Sequence, residues 1–387
     1  MEDAHTILLS MPNDPSASFF AVFDGHGGAK VANYAAENLY KCVNTNPLYV
    51  EGRYEEALKD AFVEFDKAMF NDEKMRDELA GSTAVIILVK DGNIYCANIG
   101  DSRAVASFAG NVDPLSFDHK PTGQIEMNRI VSAGGWVQFN RVNGNLALSR
   151  AFGDFVFKRN EKRSVTEQIV IALPDVQQRP LSDELEFIVL ACDGVWDVMT
   201  NDEVVEFVRR RIIYRVEPVS ICEELITRCL APDCQMGSGI GCDNMTVILI
   251  CYLNGTDYET FCERVTACSP LGIPPPPPGV DEATVRRFFG NRVSHNNNND
   301  LAQAAAAGAA AAAPAVVIGN SNENNGASTS GNVSSEQTIQ SVRCVTVESL
   351  TIPSVMETMD DDNKKANEME QTNLKMELNS SGDANTK

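Results

Sequence analysis

The chain has 387 residues, 43% of them hydrophobic, which is enough for one large domain with a tail or for two ordinary domains. Its formal net charge of -22 at pH 7 argues against nucleic-acid binding through the phosphates, because that requires clustered Lys and Arg side chains. No segment is apolar for long enough to predict a membrane span.

The first half of the chain contains both strand and helix patterns. The segments AHTILLSM and SFFAVF predict two strands, and apolar residues at helical spacing predict helices over about 29–42 and 54–69. Three short strands follow, STAVIILV, NIYCANIG and RAVASFAG, with Asp91-Gly92 as a hairpin turn between the first two. This order is typical of an antiparallel meander.

The second half continues with interspersed helices and strands. A helix is predicted from about Gln124 to Ala133, and EFIVLA predicts a buried strand. Thr200 and Glu203 form a capping box that begins the next helix, and NMTVILICYL closes the domain as a strand. Because the elements do not alternate strictly, the pattern favours an α+β fold over a parallel doubly wound sheet.

The composition changes after the last predicted strand, and this change divides the chain into three predicted regions. Residues 1–253 are the predicted domain, 254–293 a linker with the proline run Pro274–Pro278 and room for one short helix, and 294–387 a low-complexity disordered tail. The prolines favour a stiff spacer over a docking site for a proline-binding partner.

The 11 cysteines and the absence of a secretory signal predict buried thiols in a reducing compartment, hence a cytoplasmic or nuclear protein. Cys234 and Cys242 are the pair nearest to other candidate ligands. Zinc is disfavoured there because a zinc site needs three or four spaced ligands.

Carboxylates mark the ends of four predicted strands. Asp24 and Asp193 each follow an apolar strand and precede a glycine, Asp243 comes just before a strand, and Glu2 and Asp3 precede the first. Carboxylates packed together without cations repel one another and take up protons, whereas Mg²⁺ or Mn²⁺ prefers such oxygen ligands. For any single Asp-Gly pair a plain turn is the ordinary interpretation, and the metal interpretation gains strength only from the combination.

One of the four histidines in the sequence, His26, stands two residues after Asp24. A lone histidine is more often structural, but in this setting its ordinary pKa suits proton donation near neutral pH.

Eight motifs over residues 1–253 carry a resemblance to the metal-dependent protein Ser/Thr phosphatases of the protein phosphatase 2C family. They are MEDAH, FFAVFDGHGG, GSTAV, GDSRAV, DHKP, RVNGNLALSRAFGDF, ACDGVWDVM and DNMTVILI, in this order. The resemblance implies a sandwich of two antiparallel β-sheets flanked by α-helices, with two Mg²⁺ or Mn²⁺ ions at one end. It also implies phosphorylated proteins as substrates.

The resemblance implies a role for each matching residue. Asp24 bridges both metals, the Gly25 carbonyl binds one of them, and Asp193 and Asp243 bind the other. A water between the metals is the implied nucleophile.

Three further roles follow from the same resemblance. Glu2 acts on the metal site directly or through water, Asp3 orients a metal-bound water, and His26 protonates the departing Ser or Thr oxygen. Asp118 and Asp197 match positions linked to a third, weaker metal, with helix or loop capping as the equally weighted alternative. Asp101, Arg103 and Asp154 are interpreted as structural.

One departure from the family pattern stands out. In the family, a strand with a Trp-Arg pair precedes the motif that begins here at Met1, and its Arg binds the substrate phosphate. A truncated sequence and a genuinely shortened isoform are the two explanations, and we expect truncation, because loss of the first strand would expose a sheet edge. If the phosphate is held without that Arg, Arg103 or Arg150 would have to hold it. The leading hypothesis is an active phosphatase, the alternative a catalytically impaired phosphoprotein-binding scaffold. A calcium-binding structural protein is disfavoured because no dense loop of spaced carboxylates is present.

Overall fold

A computed structural model of the chain describes residues 1–232 and 239–268, and the backbone of two strands at 316–317 and 342–348. The helices are α1 (Lys30–Thr45), α2 (Pro47–Val50), α3 (Tyr54–Asn71), α4 (Gln124–Ser132), α5 (Asp193–Trp196), α6 (Asn201–Ile213), α7 (Pro218–Cys229) and α8 (Tyr258–Ala267). A short 3₁₀ helix spans Phe155–Phe157.

The strands in chain order are β1 (Ala4–Leu8), β2 (Ser18–Phe23), β3 (Gly25–His26), β4 (Gly81–Ser82), β5 (Ala84–Lys90), β6 (Asn93–Ile99), β7 (Arg103–Phe108), β8 (Asn111–Pro114), β9 (Val137–Gln138), β10 (Arg141–Val142), β11 (Phe152–Gly153), β12 (Asp175–Pro180), β13 (Leu185–Ala191), β14 (Thr246–Tyr252), β15 (Val316–Val317) and β16 (Val342–Glu348). Among the described residues, no helix has both the length and the hydropathy needed to cross a membrane.

Two antiparallel sheets form the centre of the fold. The first has the order β1-β2-β5-β6-β12 and the second the order β15-β16-β14-β13-β7-β8. Side chains from one face of each sheet meet between them, among them Phe20, Ile87, Leu190 and Ile248. The predicted α+β sandwich is confirmed.

Helices cover the outer faces of both sheets. The alternate residues of β2, such as Phe19 and Phe23, pack outward with α1 and α3 in a second apolar cluster. The outer face of β13 and β14 packs against α6, α7 and α8 in a third. Successive strand residues point to opposite faces, so a continuous apolar run such as SFFAVF belongs to a strand buried on both sides.

The capping box at the start of α6 is confirmed, with the Thr200 side chain accepting from the Glu203 amide and the Glu203 side chain accepting from the Thr200 amide.

The predicted meander is wrong at its third strand. β5 and β6 pair as a hairpin, but β7 pairs with β13 and β8 in the other sheet. Gly100, at a φ of +93°, begins the turn that separates the two sheets, a conformation that favours glycine.

The compact domain extends beyond the predicted boundary at residue 253. Helix α8 lies in the predicted linker, and its Phe261, Cys262 and Val265 are buried in the third cluster. Their spacing of one and four residues is that of one helix face. Pro274–Pro278, the short helix expected after it and Cys234 lie outside the described residues.

A strand also lies within the predicted disordered tail. The β16 segment VRCVTVE pairs antiparallel with the edge of β14 along its whole length, with Val342 opposite Tyr252 and Glu348 opposite Thr246. The segment is rich in β-branched residues, which favour strands and which a composition-based interpretation of the tail overlooks. The rest of residues 294–387, apart from β15, lies outside the described residues.

A buried ion pair joins the second sheet to helix α6. Arg209 of α6 donates to Glu186 of β13 at 2.9 Å, and both side chains are buried. Arg209→Leu should lower the free energy of unfolding by about 3–5 kcal/mol, because it leaves the Glu186 charge buried and unpaired. Urea denaturation measures this.

Arg210→Leu is the matched control, since Arg210 pairs with Glu206 on the exposed face of the same helix. Its loss should change the free energy of unfolding by no more than about 0.5 kcal/mol. Equal effects of the two substitutions would contradict the assignment of Arg209 as a structural ion pair.

Candidate active site

The carboxylates predicted from the strand ends meet at one end of the sandwich. A cavity of about 620 Å³ is lined by Glu2, Asp24, Gly25, His26, Asp193 and Asp243, together with Asp101, Arg141, Asp154 and neighbouring apolar residues. Each of the six acidic side chains comes from a different segment: before β1, after β2, after β6, after β11, at the start of α5 and before β14. The sandwich thus brings together residues that lie far apart in the sequence.

Two glycines allow the segments to approach so closely. A Cβ on Gly25 would lie 2.3 Å from the Glu2 carbonyl oxygen, and a Cβ on Gly194 would lie 2.1 Å from the Asn244 carbonyl oxygen. The backbone of one acidic segment therefore packs directly on the glycine that follows the aspartate of another. The Glu2 amide also donates to the Asn244 side chain at 2.7 Å, which joins the first and last of these segments.

Asp24 and Asp193 show the electrostatic cost of this convergence. Burial raises the pKa of the Asp24 carboxyl well above its usual range, and repulsion from Asp3, Asp193, Asp101 and Asp243 raises it further. Burial likewise raises the pKa of Asp193 to about 7, with Asp101 and Asp243 adding to the shift. Without nearby positive charge, both groups thus hold a proton more readily than an ordinary aspartate does.

Asp3 lies behind Asp24, away from the lining of the cavity. One carboxylate oxygen accepts from the Thr246 hydroxyl at 2.7 Å, while the other is buried without a hydrogen-bond partner. Burial raises its pKa to about 6. Its orienting role stays a prediction.

Asp101 is the acidic residue that the sequence interpretation missed. It follows β6, lines the cavity and accepts from the Lys120 ammonium group. Burial raises its pKa, which the Lys120 charge opposes. The signal was present in the sequence, because ANIGD repeats the pattern of an apolar strand that ends at an aspartate.

Asp118 and Asp197, which the resemblance links to a third metal, lie outside the cavity lining. Asp118 binds the Arg103 guanidinium through both carboxylate oxygens, at 2.9 and 2.8 Å. Asp197 is exposed one turn after Asp193, whose pKa its charge helps to raise. Their ligation of a third ion stays a prediction.

His26 is held by a residue that the sequence interpretation took as structural. Its Nε2 atom lies 2.7 Å from Asp154 Oδ2. Burial opposes charge on the imidazole, but the hydrogen bond and charge of Asp154 outweigh it and raise the pKa of His26 above its ordinary value. A Cβ on Gly81 would lie 2.4 Å from both side chains, so this glycine makes room for the pair.

Comparison with known proteins decides the family. The family model described as Protein phosphatase 2C matches residues 1–236. A probable protein phosphatase 2C from Caenorhabditis elegans is 58% identical over 260 residues, which cover 67% of this chain and 73% of that protein. The protein phosphatase 2C homolog 2 of Hypocrea jecorina is 47% identical over 68% of this chain, which spans 62% of its length.

The chain belongs to the protein phosphatase 2C family. Among solved structures, a phosphatase from a pathogenic strain of Toxoplasma gondii matches with a TM-score of 0.55 and 29% identity, over 64% of this chain and 87% of that one. The chain is therefore a protein Ser/Thr phosphatase, and the alternative of an impaired scaffold is not favoured.

Protein phosphatase 2C enzymes depend on Mg²⁺ or Mn²⁺, and the donor set here fits such hard cations. All the converging acidic groups offer oxygen, and one Asp3 oxygen is buried without a partner. Within residues 1–232 and 239–268, no three His, Cys, Asp or Glu side chains lie close enough to ligate one ion.

The cations suggested as alternative phosphate ligands in this protein phosphatase 2C chain are both engaged by carboxylates. Arg103 is paired with Asp118, and Arg150 is buried against Glu126 and Asp175 at 2.7 and 2.9 Å. Neither lines the cavity, whereas Arg141 does.

The repulsion among the carboxylates predicts how the metal-free protein responds to pH. The folded-state pKa of Asp193 is about 7, against roughly 4 in an unfolded chain. Between these values the folded state holds a proton that the unfolded state has lost, so stability falls as pH rises through this window. In excess EDTA, Asp193→Asn should raise the melting temperature at pH 8 by a few degrees and flatten its pH dependence.

Asp77→Asn is the control for this measurement, because the Asp77 side chain is 81% exposed. Differential scanning calorimetry between pH 5 and 8 compares the three proteins. A lower melting temperature for Asp193→Asn at pH 8 in EDTA would contradict the predicted repulsion.

Proposed function

We propose that this chain removes phosphate from phosphoserine and phosphothreonine in proteins with two Mg²⁺ or Mn²⁺ ions held at the end of the sandwich. The observation that carries this proposal is the convergence of Asp24, Asp193 and Asp243 on one cavity beside His26. Asp24 would bridge the two ions, as the family resemblance implies, and repulsion from Asp3, Asp193, Asp101 and Asp243 places it among the other acidic groups. The Gly25 carbonyl, Asp193, Asp243 and Glu2 would complete the ligand set.

When bound, such ions lower the pKa of a water molecule and neutralise charge on the phosphoryl oxygens. The protein contributes the placement of that charge. Asp24 is fixed by a backbone hydrogen bond from Thr83 at 2.9 Å and donates its own amide to the Thr83 hydroxyl at 3.1 Å. The Thr83 hydroxyl in turn pairs with Ser102 at 2.7 Å, so the floor of the site is tied to the turn that carries Asp101.

His26 supplies a proton to the leaving Ser or Thr oxygen in this proposal. Asp154 holds Nε2, which leaves Nδ1 as the nitrogen that can donate. A phosphate monoester leaves an alkoxide that needs a proton, and a positioned acid of suitable pKa speeds that step. The charge of Asp154 favours the protonated imidazole that this role requires.

Three further properties expected from the sequence are part of this proposal. They are a third, weaker ion near Asp118 and Asp197, a cytoplasmic or nuclear location, and a partner for Pro274–Pro278.

The metal requirement gives a direct prediction. Turnover of p-nitrophenyl phosphate should require added Mn²⁺ or Mg²⁺ and disappear in excess EDTA. Asp24→Asn should lower turnover at saturating Mn²⁺ by at least about 100-fold, because charge stabilisation at the phosphoryl group is lost. Asp77→Asn, an exposed aspartate, should leave turnover unchanged.

Steady-state kinetics with a metal titration measure these effects. Undiminished turnover in EDTA, or near-normal turnover by Asp24→Asn, would overturn the proposed mechanism.

The proposed role of His26 predicts a dependence on the leaving group. His26→Ala should lower kcat on a phosphothreonine peptide by about 100-fold, because the Thr oxygen needs a proton. It should affect p-nitrophenyl phosphate much less, since p-nitrophenolate departs easily as an anion. Equal losses on the two substrates would instead indicate that His26 supports the structure of the metal site.

A further inference from the structure

The hairpin of β9 and β10 presents an aromatic side chain in an unfavourable backbone conformation. Its two turn residues, Phe139 and Asn140, have φ values of +52° and +61°. Asparagine tolerates this region, but a bulky residue such as phenylalanine is uncommon there and strained. Phe139 is also 83% exposed, so no burial offsets the strain.

The hairpin holds this side chain on a fixed base. The Asn143 amide donates to the Trp136 carbonyl at 2.8 Å, and the Trp136 amide donates to the Asn143 side chain at 3.0 Å. Trp136 is itself 54% exposed. Two aromatic side chains are therefore displayed to solvent from one rigid turn, an arrangement typical of binding sites in which few rotamers are lost on contact.

Arg141 connects the hairpin to the active-site cavity. It lines the cavity, where it is the single Lys or Arg among the lining residues that the structure describes. Its guanidinium donates to the Asn145 carbonyl at 2.7 Å, and none of the described ion pairs involves it. The other charged side chains of the lining are carboxylates, which repel an anionic substrate.

We propose that the hairpin of residues 136–142 is the docking element for the polypeptide of a phosphoprotein substrate. Phe139 contacts an apolar side chain near the phosphorylated residue, and Arg141 pairs with the anionic group that enters the cavity. The occupant is an extended phosphorylated segment, since Arg141 lines the cavity two residues after the strained and exposed Phe139, and the guanidinium charge complements the phosphate of that segment.

This inference rests on the proposed function, and the experiment separates the two. Mn²⁺-dependent turnover of p-nitrophenyl phosphate by the unmodified chain tests the function. Docking is tested with two phosphothreonine peptides that differ only in carrying Leu or Ser at each position flanking the phosphorylated residue.

Phe139→Ala should raise KM for the Leu peptide about 10-fold and leave its kcat and the turnover of p-nitrophenyl phosphate unchanged, because a well-packed aromatic contact contributes on this scale. It should affect the Ser peptide less. Arg141→Met should raise KM for both peptides and make KM less dependent on salt. Phe117→Ala is the control, because Phe117 is 61% exposed and does not line the cavity.

A second measurement follows peptide binding directly, without catalytic turnover. In the Asp193→Asn background, fluorescence anisotropy with the labelled Leu peptide should show binding weakened about 10-fold by Phe139→Ala. Unchanged KM and affinity would overturn the proposal. So would an equal loss with p-nitrophenyl phosphate, or a dimer that Phe139→Ala dissociates in sedimentation velocity, which would make the hairpin an interface between copies of the chain.

Discussion

Electrostatic repulsion among buried carboxylates is the constraint on which the site depends. Six acidic side chains line one cavity, and burial together with repulsion between carboxylates raises the pKa values of Asp24, Asp193 and Asp101. A sequence selected for stability alone would replace several of these groups by amides or apolar residues. Divalent cations bound at the proposed site would offset this repulsion, because such ions prefer carboxylate oxygens as ligands.

The two sheets hold these carboxylates close together despite their repulsion. Strand ends of the first sheet supply Asp24 and Asp101, and the second sheet supplies Asp193 and Asp243. The two sheets are fixed by the apolar layer between them, so no one segment can withdraw its carboxylate without disturbing a strand. Asp154 binds His26, and both side chains line the same cavity. Arg141, which belongs to the hairpin that carries Phe139, also lines the cavity.

Much of this arrangement could be predicted from the sequence, and the failures have physical causes. The strand of SFFAVF, the capping box at Thr200 and the close approach at the glycines after Asp24 and Asp193 depend on local patterns. Asp101 ends an apolar strand as Asp24 does, but it was interpreted as a structural turn, because only the tertiary fold shows that this turn crosses between the two sheets. The partners of Asp118 and His26 are set by tertiary packing, as is the strand β16.

The central claim is that these carboxylates form a site for two divalent cations. Anomalous diffraction from crystals grown with Mn²⁺ tests it most directly, because Mn²⁺ scatters anomalously and its position needs no assumption about ligands. The account predicts two peaks in the cavity, with Asp24 ligating both and Asp193 and Asp243 drawn toward one of them. Peaks confined to other surfaces, or an empty cavity at saturating Mn²⁺, would contradict it.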